Sequence, residues 1–323
     1  MTTLGIFPAS GGLGESTYTH LLQDGLGVPA SNVILISRHP GKTPRTLVQA
    51  GVKTRQADYT QSPAELESAF SGIDVLFLIS YPSHQHTLRT ELHLKAIAAA
   101  KQAGVKYVFY SSLGFAGEGD TSVAEVMGAH LDTEGYLREL AAGDKGFGYT
   151  AVREGLYSES TGIYTAFWEA GREEEILIPH DGKGRGVSWV RRDELGEATA
   201  RLLARYMVDK EGFEREWPGW VNGKVVFTGT REWSLAETVE VLGRVAGKKL
   251  RIREVSVDEY ARLPQVLAKF GSEELARTWA TAWEAIRRGE TGLVTSDLER
   301  VLGRKPEEFD VTVRSHWSGK QHM

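Results

Sequence analysis

Short apolar segments alternate with amphipathic segments through the first half of the chain. Those around residues 74–79 and 107–110 are continuous, as is typical of central parallel strands covered on both faces. The apolar segments predict strands at Leu4–Phe7, Asn32–Ser37, Lys53–Ala57, Ile73–Ser80, Val105–Ser111 and Tyr149–Arg153. The segments between them predict helices at Glu15–Leu26, Thr43–Ala50, Ser62–Phe70, His84–Ala103 and Val126–Ala142. Such alternation predicts an α/β fold with a doubly wound parallel sheet and right-handed crossovers.

The pattern changes after residue 153. Strands are predicted at Glu175–Pro179, Gly186–Val190 and Lys224–Gly229, and helices at Asp193–Tyr206, Ser234–Ala246 and Val257–Leu263, with Ser272–Arg288 as a helical cap. No low-complexity linker separates the two halves. We therefore predict a Rossmann domain over residues 1–153 and a smaller α+β substrate-binding region over residues 154–323, of which about residues 186–230 return to the sheet.

The composition excludes several classes of protein. The net charge of the 323 residues is −5, and we interpret the basic pairs Arg191–Arg192 and Lys248–Lys249 as solvated faces, too short to bind nucleic acid. The chain contains no cysteine, which excludes disulfides, thiolate metal ligands and a cysteine nucleophile. No segment reaches the roughly 20 apolar residues that span a bilayer, and no signal peptide is visible. We expect a soluble, cytoplasmic protein that contacts neither membrane nor nucleic acid.

A glycine-rich segment, PASGGLG, lies between the first predicted strand and the first predicted helix. In a dinucleotide-binding turn, glycines let the pyrophosphate approach the amides at the start of the helix. Pro8 stands where the first glycine is expected, so this turn has one backbone donor fewer. The position between strand and helix favours a phosphate-binding loop over a plain turn that binds nothing. The residues predicted to bind the cofactor here are Ser10, Gly11, Gly12, Leu13 and Gly14.

The end of the second predicted strand indicates which dinucleotide is bound. An NAD-binding fold places an acid there to bind the ribose hydroxyls, whereas this chain has the sequence SRHPGK. A cationic segment suits the extra 2′-phosphate of NADP(H), so Arg38 is predicted to bind that phosphate. An exposed arginine in a surface loop is the alternative.

Later strand ends supply further candidate contacts to the cofactor. Asp58 either accepts a hydrogen bond from the adenine amino group or caps the helix that begins near Ser62. Tyr81 is predicted to lie near the nicotinamide ribose. The further cofactor contacts that we predict are Asp58, Tyr59, Ser80, Tyr81 and Ser111.

Motifs along nearly the whole chain resemble the NmrA-like family of atypical short-chain dehydrogenase/reductases, and within it the quinone-reductase-like branch that includes fungal-type NmrA-like oxidoreductases. In chain order they are GVKTRQADYTQSPAELESAFSGIDVLFLIS, AAKQAGVKYVFYSSLG, AHLDTEGYLREL, YTAVREGLYSES, GVSWVRRDELGEATARLL and DLERVLGRKPEEFDV. The resemblance implies a Rossmann domain that binds NADP(H) and a C-terminal region that closes a cleft. Some members of the family reduce quinones, phenylpropanoid ethers or natural-product intermediates. Others bind the dinucleotide without turnover, as redox-sensing regulators.

The proton donor is the point at which this chain departs from the short-chain reductases. Their Tyr-x-x-x-Lys motif is replaced by His130 and Glu134 in HLDTE. These residues share a helix face, so the carboxylate is expected to raise the pKa of the imidazole and make it a proton donor; a surface helix pair is the alternative. Ser112 matches the family's serine position, or caps a turn, and Tyr157 is a phenolic donor or a lid contact. The predicted catalytic residues are His130, Glu134, Ser112 and Tyr157.

Three other groups of residues have simpler interpretations. His84, His86 and His93 are interpreted as a solvated helix start rather than a metal site, and Asp193 as a helix N-cap. Trp168, Trp279 and Trp283 are predicted to line a pocket for a flat aromatic substrate.

These features predict an NADPH-dependent oxidoreductase that delivers hydride to a conjugated or quinone-like small molecule, as in natural-product metabolism. The alternative is a non-catalytic NADP(H)-binding sensor that acts through a protein partner, which the replaced tyrosine and lysine favour. A redox-neutral isomerase or lyase is the third possibility.

Overall fold

A seven-stranded parallel sheet forms the centre of the computed structural model, which describes residues 2–23, 25–169 and 174–320. Its strands are β1 (Leu4–Phe7), β2 (Val33–Ser37), β3 (Lys53–Gln56), β4 (Val75–Ile79), β5 (Tyr107–Leu113), β6 (Gly148–Glu154) and β8 (Gly223–Phe227). They lie in the order β3-β2-β1-β4-β5-β6-β8, and every neighbouring pair is parallel. A second, two-stranded parallel sheet pairs β7 (Glu175–Ile178) with β9 (Arg251–Glu254).

Helices cover both faces of the large sheet. In chain order they are α1 (Gly12–Gln23), α2 (Arg45–Gln49), α3 (Pro63–Phe70), α4 (His86–Gln102), α5 (Glu125–Gly143), α6 (Thr161–Tyr164), α7 (Arg192–Val208), α8 (Lys210–Glu216), α9 (Leu235–Ala246), α10 (Val257–Ala261), α11 (Pro264–Phe270), α12 (Glu273–Arg287), α13 (Asp297–Leu302) and α14 (Phe309–Lys320). None of the helices in the described part of the chain is long and apolar enough to cross a bilayer.

Two apolar cores explain why the sheet is buried on both sides. On one face, Leu21 of α1 and Leu203 of α7 pack against β1, β4 and β5. On the other face, Phe70 of α3, Ile97 of α4 and Leu137 of α5 pack against the same strands. The predicted doubly wound fold is confirmed, because these helices lie on both sides of a fully parallel sheet.

The predicted strand at Gly186–Val190 is wrong. Val187 donates its backbone N–H to Trp233, Ser188 donates to Thr291, and Val190 donates to Leu156. Because these backbone bonds go to three separate segments, the apolar stretch forms only isolated bridges instead of a ladder.

Other predictions in the second half have mixed outcomes. The strand β9 was not predicted, because most of its side chains are exposed and charged and its pairing with β7 is a long-range contact. The strand β8 comes from the second half and pairs with β6 at the edge of the large sheet. A division of the chain after residue 153 stays a prediction.

Candidate active site

The carboxyl ends of six neighbouring strands, β1 to β6, bring the site together. The chain runs from β1 outwards to β3 on one side and from β4 outwards on the other, so β1 and β4 flank the topological switch point where ligands bind in such sheets. The glycine-rich loop follows β1. We call the loops after β2 and β3, with Arg38 and Asp58, the outer end of the site. We call the ends of β4, β5 and β6, with Tyr81, Ser111 and Tyr157, the inner end.

The glycine-rich loop has the geometry of a phosphate-binding turn. Gly11 has φ +122°, a left-handed conformation that other residues rarely adopt, and α1 begins at the next residue. A Cβ on Gly14 would lie 2.7 Å from the carbonyl oxygen of Ala9, so the helix packs closely on the strand end. Leu13 is buried beneath the loop, whereas Ser10, Gly11 and Gly12 are exposed. The loop therefore presents a bare backbone and a helix N-terminus at the switch point.

An arginine from the second half of the chain covers this loop. A Cβ on Gly12 would lie 2.6 Å from Cζ of Arg192, so the guanidinium occupies the space that a side chain would take. The Arg192 backbone N–H donates to the carboxylate of Glu159, at 3.1 and 3.2 Å. No described carboxylate lies within ion-pair distance of the guanidinium. Interpreting Arg191 and Arg192 as a solvated pair was wrong: Arg191 pairs with Glu307 at 2.8 Å, and Arg192 adds a cation to the loop.

The outer end is exposed and charged. Nε of Arg38 lies 3.5 Å from Oδ2 of Asp58, and 69% of the Arg38 side chain is exposed. Oδ1 of Asp58 accepts hydrogen bonds from the N–H and hydroxyl of Thr60, at 2.8 and 2.6 Å. Partial burial raises the pKa of Asp58, but these bonds and the charge of Arg38 lower it more, so the net shift is downwards. Ser62 caps α3 in a capping box with Glu65, so the helix-cap alternative for Asp58 is wrong.

Tyr59 and Ser80 lie at the ends of β3 and β4. The phenol of Tyr59 donates a 2.6 Å hydrogen bond to the carbonyl of Ile79 and is buried against Phe7. Its hydroxyl therefore donates its hydrogen bond within the protein and not to a ligand. Ser80 is half-buried and directly precedes Tyr81.

Two buried side chains hold the backbone of Tyr81. Its N–H donates to Nε2 of His93 at 2.8 Å, and its carbonyl accepts from Nε of Arg89 at 3.0 Å. Burial, together with the charge of Arg89, lowers the pKa of His93 to about 3. His93 is therefore a neutral hydrogen-bond acceptor, and Tyr81 is fixed at both of its backbone polar groups.

His130 belongs to the same buried network and does not contact Glu134. Its Nε2 lies 2.7 Å from Nη2 of Arg89, and its Nδ1 lies 3.0 Å from the hydroxyl of Tyr110. Burial and the charge of Arg89 hold the pKa of His130 well below its usual range. The expected pairing with Glu134 and the expected rise in pKa are therefore wrong.

Glu134 points to a different set of partners. It pairs with Arg153 of β6 through two hydrogen bonds, of 3.0 and 2.6 Å, and accepts one from the hydroxyl of Ser112 at 2.6 Å. Glu134 and Arg153 are both buried. Although Glu134 lies one turn from His130, a buried guanidinium draws its carboxylate towards β6.

Tyr157 and Ser111 meet a residue that was not predicted. Glu154, the last residue of β6, accepts a 2.6 Å hydrogen bond from the phenol of Tyr157, and the hydroxyl of Ser111 lies near its carboxyl group. Its Oε1 is buried and has no partner among the described residues. Burial raises the pKa of Glu154 to about 7, although the neighbouring hydroxyls of Tyr157 and Ser111 lower it. The sequence feature that could have identified Glu154 is an acid at the carboxyl end of a buried apolar strand.

The remaining candidates lie away from this cluster or have structural roles. Asp193 is not an N-cap: it accepts hydrogen bonds from Ser16 and His20 of α1 and so links α1 to α7. His86 contacts Glu125 and Asp132. Among the described residues, no group of metal-ligating side chains could hold an ion.

The three predicted tryptophans do not share a pocket. Trp279 and Trp283 belong to the buried core of the second half. Trp168 lines a cleft of about 330 Å³ together with Ile176 and Leu263. The prediction of one aromatic pocket from these three side chains is wrong, because two of them are enclosed in the core.

Comparisons with known proteins agree with this geometry. A family model described as NAD(P)H-binding matches residues 9–176, more than half of the chain. The chain belongs to this NAD(P)H-binding family. It is 34% identical over 259 residues to quinone oxidoreductase 2 of Escherichia coli, covering 80% of this chain and 79% of that protein. It is 29% identical over 304 residues to the NmrA-like family domain-containing oxidoreductase flvB of Aspergillus flavus, covering 92% of this chain and 89% of that protein.

A solved structure of a family relative extends the likeness to three dimensions. The triphenylmethane reductase of Citrobacter sp., complexed with NADP(H), has a TM-score of 0.74 and 29% identity, covering 97% of this chain and 99% of that one. The predicted resemblance to NmrA-like reductases and the predicted dinucleotide cofactor are confirmed.

Proposed function

We propose that the protein is an NADPH-dependent reductase that delivers hydride to a conjugated or quinone-like small molecule. The observation that carries this proposal is the inner end of the site, where the half-buried Tyr157 donates its phenol hydrogen to the buried carboxyl group of Glu154. The reductases and oxidoreductases among its relatives support the same reaction class.

The cofactor fits the residues present along the strand ends. We propose that residues 10–14 hold the pyrophosphate through their amides, with Arg192 as a cation above them. Arg38 suits the 2′-phosphate, and Asp58 suits the adenine amino group. Tyr59 can contact the cofactor only through its backbone, because its phenol is hydrogen-bonded to the carbonyl of Ile79.

The inner end orients the reacting part of the cofactor. We propose that Ser80, Tyr81 and Ser111 line the nicotinamide side, with Tyr81 held rigidly by Arg89 and His93. The bound cofactor supplies the hydride. The chain holds the substrate close to that position, excludes water and supplies one proton from the hydroxyl of Tyr157.

The side chains of the other predicted catalytic residues are bonded to neighbouring residues inside the protein. His130 has both ring nitrogens engaged, and Glu134 is neutralised by Arg153. Ser112 donates its hydroxyl to Glu134. We propose that His130, Glu134 and Ser112 position the strand ends and α5 rather than transfer protons.

The function is tested by following the loss of NADPH absorbance with a panel of quinones, enones and triarylmethane dyes. We expect turnover with at least one class of these acceptors. Product analysis should show one reduced product molecule for each NADPH consumed. Tight NADPH binding with no turnover across the panel would instead support a non-catalytic sensor, which the engaged state of His130 and Glu134 also permits.

A further inference from the structure

Glu154 is a buried acid at the inner end of the site. It ends β6, with only 2% of its surface exposed, and lies between Ser111 of β5 and Tyr157 of the following loop. Its neighbour Arg153 is bonded to Glu134 instead. Glu154 therefore has one hydrogen-bond partner, the phenol of Tyr157, and no cation to balance its charge in the described chain.

The surroundings of Glu154 favour its neutral form. Oε1 accepts no hydrogen bond, so ionisation would leave a buried anion with one unsolvated oxygen. Burial is the main reason that the pKa of Glu154 rises to about 7. This carboxyl group can therefore gain and lose a proton near neutral pH.

Other ionisable groups around the cluster do not titrate in this range. Burial raises the pKa of Tyr157 well above its usual value, and the charge of Glu154 raises it further, whereas Arg192 lowers it and Glu159 raises it slightly. Burial also raises the pKa of Tyr110, which lies on β5. Ser111 is uncharged. Glu154 is thus the member of this cluster that changes charge near pH 7.

The protonation of Glu154 decides where the phenol hydrogen of Tyr157 points. When Glu154 is ionised, the phenol donates to Oε2, at 2.6 Å. When Glu154 is neutral, its own hydrogen can occupy that bond, and the phenol hydrogen is free to turn towards a bound substrate. Tyr157 is half-buried, so part of its side chain reaches the surface.

We propose that Glu154 stores the proton that Tyr157 delivers to the substrate, a proposal that rests on the reductase function above. The substrate gains one hydride and one proton. The phenol O–H bond breaks as the substrate O–H or C–H bond forms, and the carboxyl O–H bond of Glu154 breaks as the phenol is restored. Glu154 is left as a carboxylate and takes its next proton from water. It acts through Tyr157 and is a positioning residue, not one that touches the substrate.

The first experiment measures kcat against pH for the wild type and for Glu154→Gln, at saturating NADPH. The wild type should lose activity about tenfold per pH unit above about pH 7, because only the neutral acid supplies the proton. Glu154→Gln cannot ionise, so its lower activity should be independent of pH in that range.

Asp297→Asn is the matched control, because burial also raises the pKa of Asp297, at the start of α13. Its profile should match the wild type. Persistence of the alkaline loss in Glu154→Gln would overturn the proposal.

The second experiment does not depend on turnover. Infrared difference spectra of the protein between about pH 5 and about pH 9 should show the carbonyl band of a buried carboxylic acid that disappears around neutral pH. The band should be absent in Glu154→Gln and present in Asp297→Asn. A wild-type spectrum without it would overturn the assignment of Glu154, even in an active reductase. A band with no turnover on any acceptor would overturn the reductase function and, with it, the proton delivery.

Unfolding by urea at several pH values checks the same group through stability. The folded pKa of Glu154 lies above that of the unfolded chain, about 4.3, so the folded state keeps its proton longer. The wild type should therefore lose stability relative to Glu154→Gln as pH rises from about 4.3 to about 7, and remain level above that range. A constant difference between the two proteins across this range would contradict the raised pKa.

Discussion

The outer and inner ends of the site use charge in opposite ways. At the outer end, Arg38 is exposed and Asp58 is partly exposed, and both lie on loops, where they can adapt to a ligand at little cost. At the inner end, Arg89, His93, His130 and Glu154 are buried, and each depends on a few fixed partners. We therefore propose that the outer end selects the dinucleotide, whereas the inner end holds the reacting groups in one geometry and tunes their protonation.

The largest effect on stability is expected from breaking the buried pair at the inner end. Arg153→Met removes the partner of Glu134 and leaves a buried carboxylate. We expect a loss of about 3–5 kcal/mol in the free energy of unfolding, measured with urea. The control is Arg244→Met, which breaks an exposed pair with Glu240 and should cost less than about 0.5 kcal/mol. Similar losses in the two variants would remove the contrast between buried and exposed charge.

The next effect concerns catalysis. Tyr157→Phe keeps the ring and removes the hydroxyl that binds Glu154. We expect kcat to fall at least about 100-fold, because a positioned proton donor is lost, while the dissociation constant for NADPH stays within about twofold. Stopped-flow kinetics and fluorescence titration of NADPH measure the two quantities. A variant with full kcat would show that the proton comes from elsewhere.

The sequence placed the glycine-rich loop and the outer end better than the inner end. Gly11, Gly14 and Arg38 lie within short segments whose order along the chain defines their neighbours, so local pattern was sufficient to place them. His130 and Glu134 were predicted as a pair from helical spacing alone. Their real partners, Arg89 and Arg153, come from α4 and β6, and no local spacing connects these residues to α5.

Arg192 and Glu154 were missed for related reasons. Arg192 is far from Gly12 in the chain, and only the packing of α7 on α1 brings them together. Glu154 stood beside the predicted Tyr157, but its burial, which gives it an unusual pKa, depends on the whole sheet edge. The strands of the large sheet were predictable because apolar periodicity is a local property.

Arg192 tests whether the second half of the chain contributes to the cofactor site. Arg192→Ala should weaken NADPH and NADH alike, by about 10-fold to 100-fold, because it removes a charge-assisted contact to the pyrophosphate that both share. Isothermal titration with ADP-ribose should show the same loss. Binding of 2′-AMP, which has no pyrophosphate, should be unchanged. A loss confined to NADPH would place Arg192 at the 2′-phosphate instead.

The smallest effect is expected at the outer end, and it is also the most selective. Arg38→Ala should weaken NADPH by about 10-fold, because one exposed charge-assisted contact to the 2′-phosphate is lost in a region screened by salt. NADH lacks that phosphate, so its affinity should stay the same, and the preference between the cofactors should fall by the same factor. Raising the salt concentration should reduce the difference in NADPH affinity between the wild type and the variant, and should leave their NADH affinities equal. An equal loss for both dinucleotides would mean that Arg38 supports the shape of the loop after β2 rather than reading the phosphate, and the division of roles between the two ends would then fail.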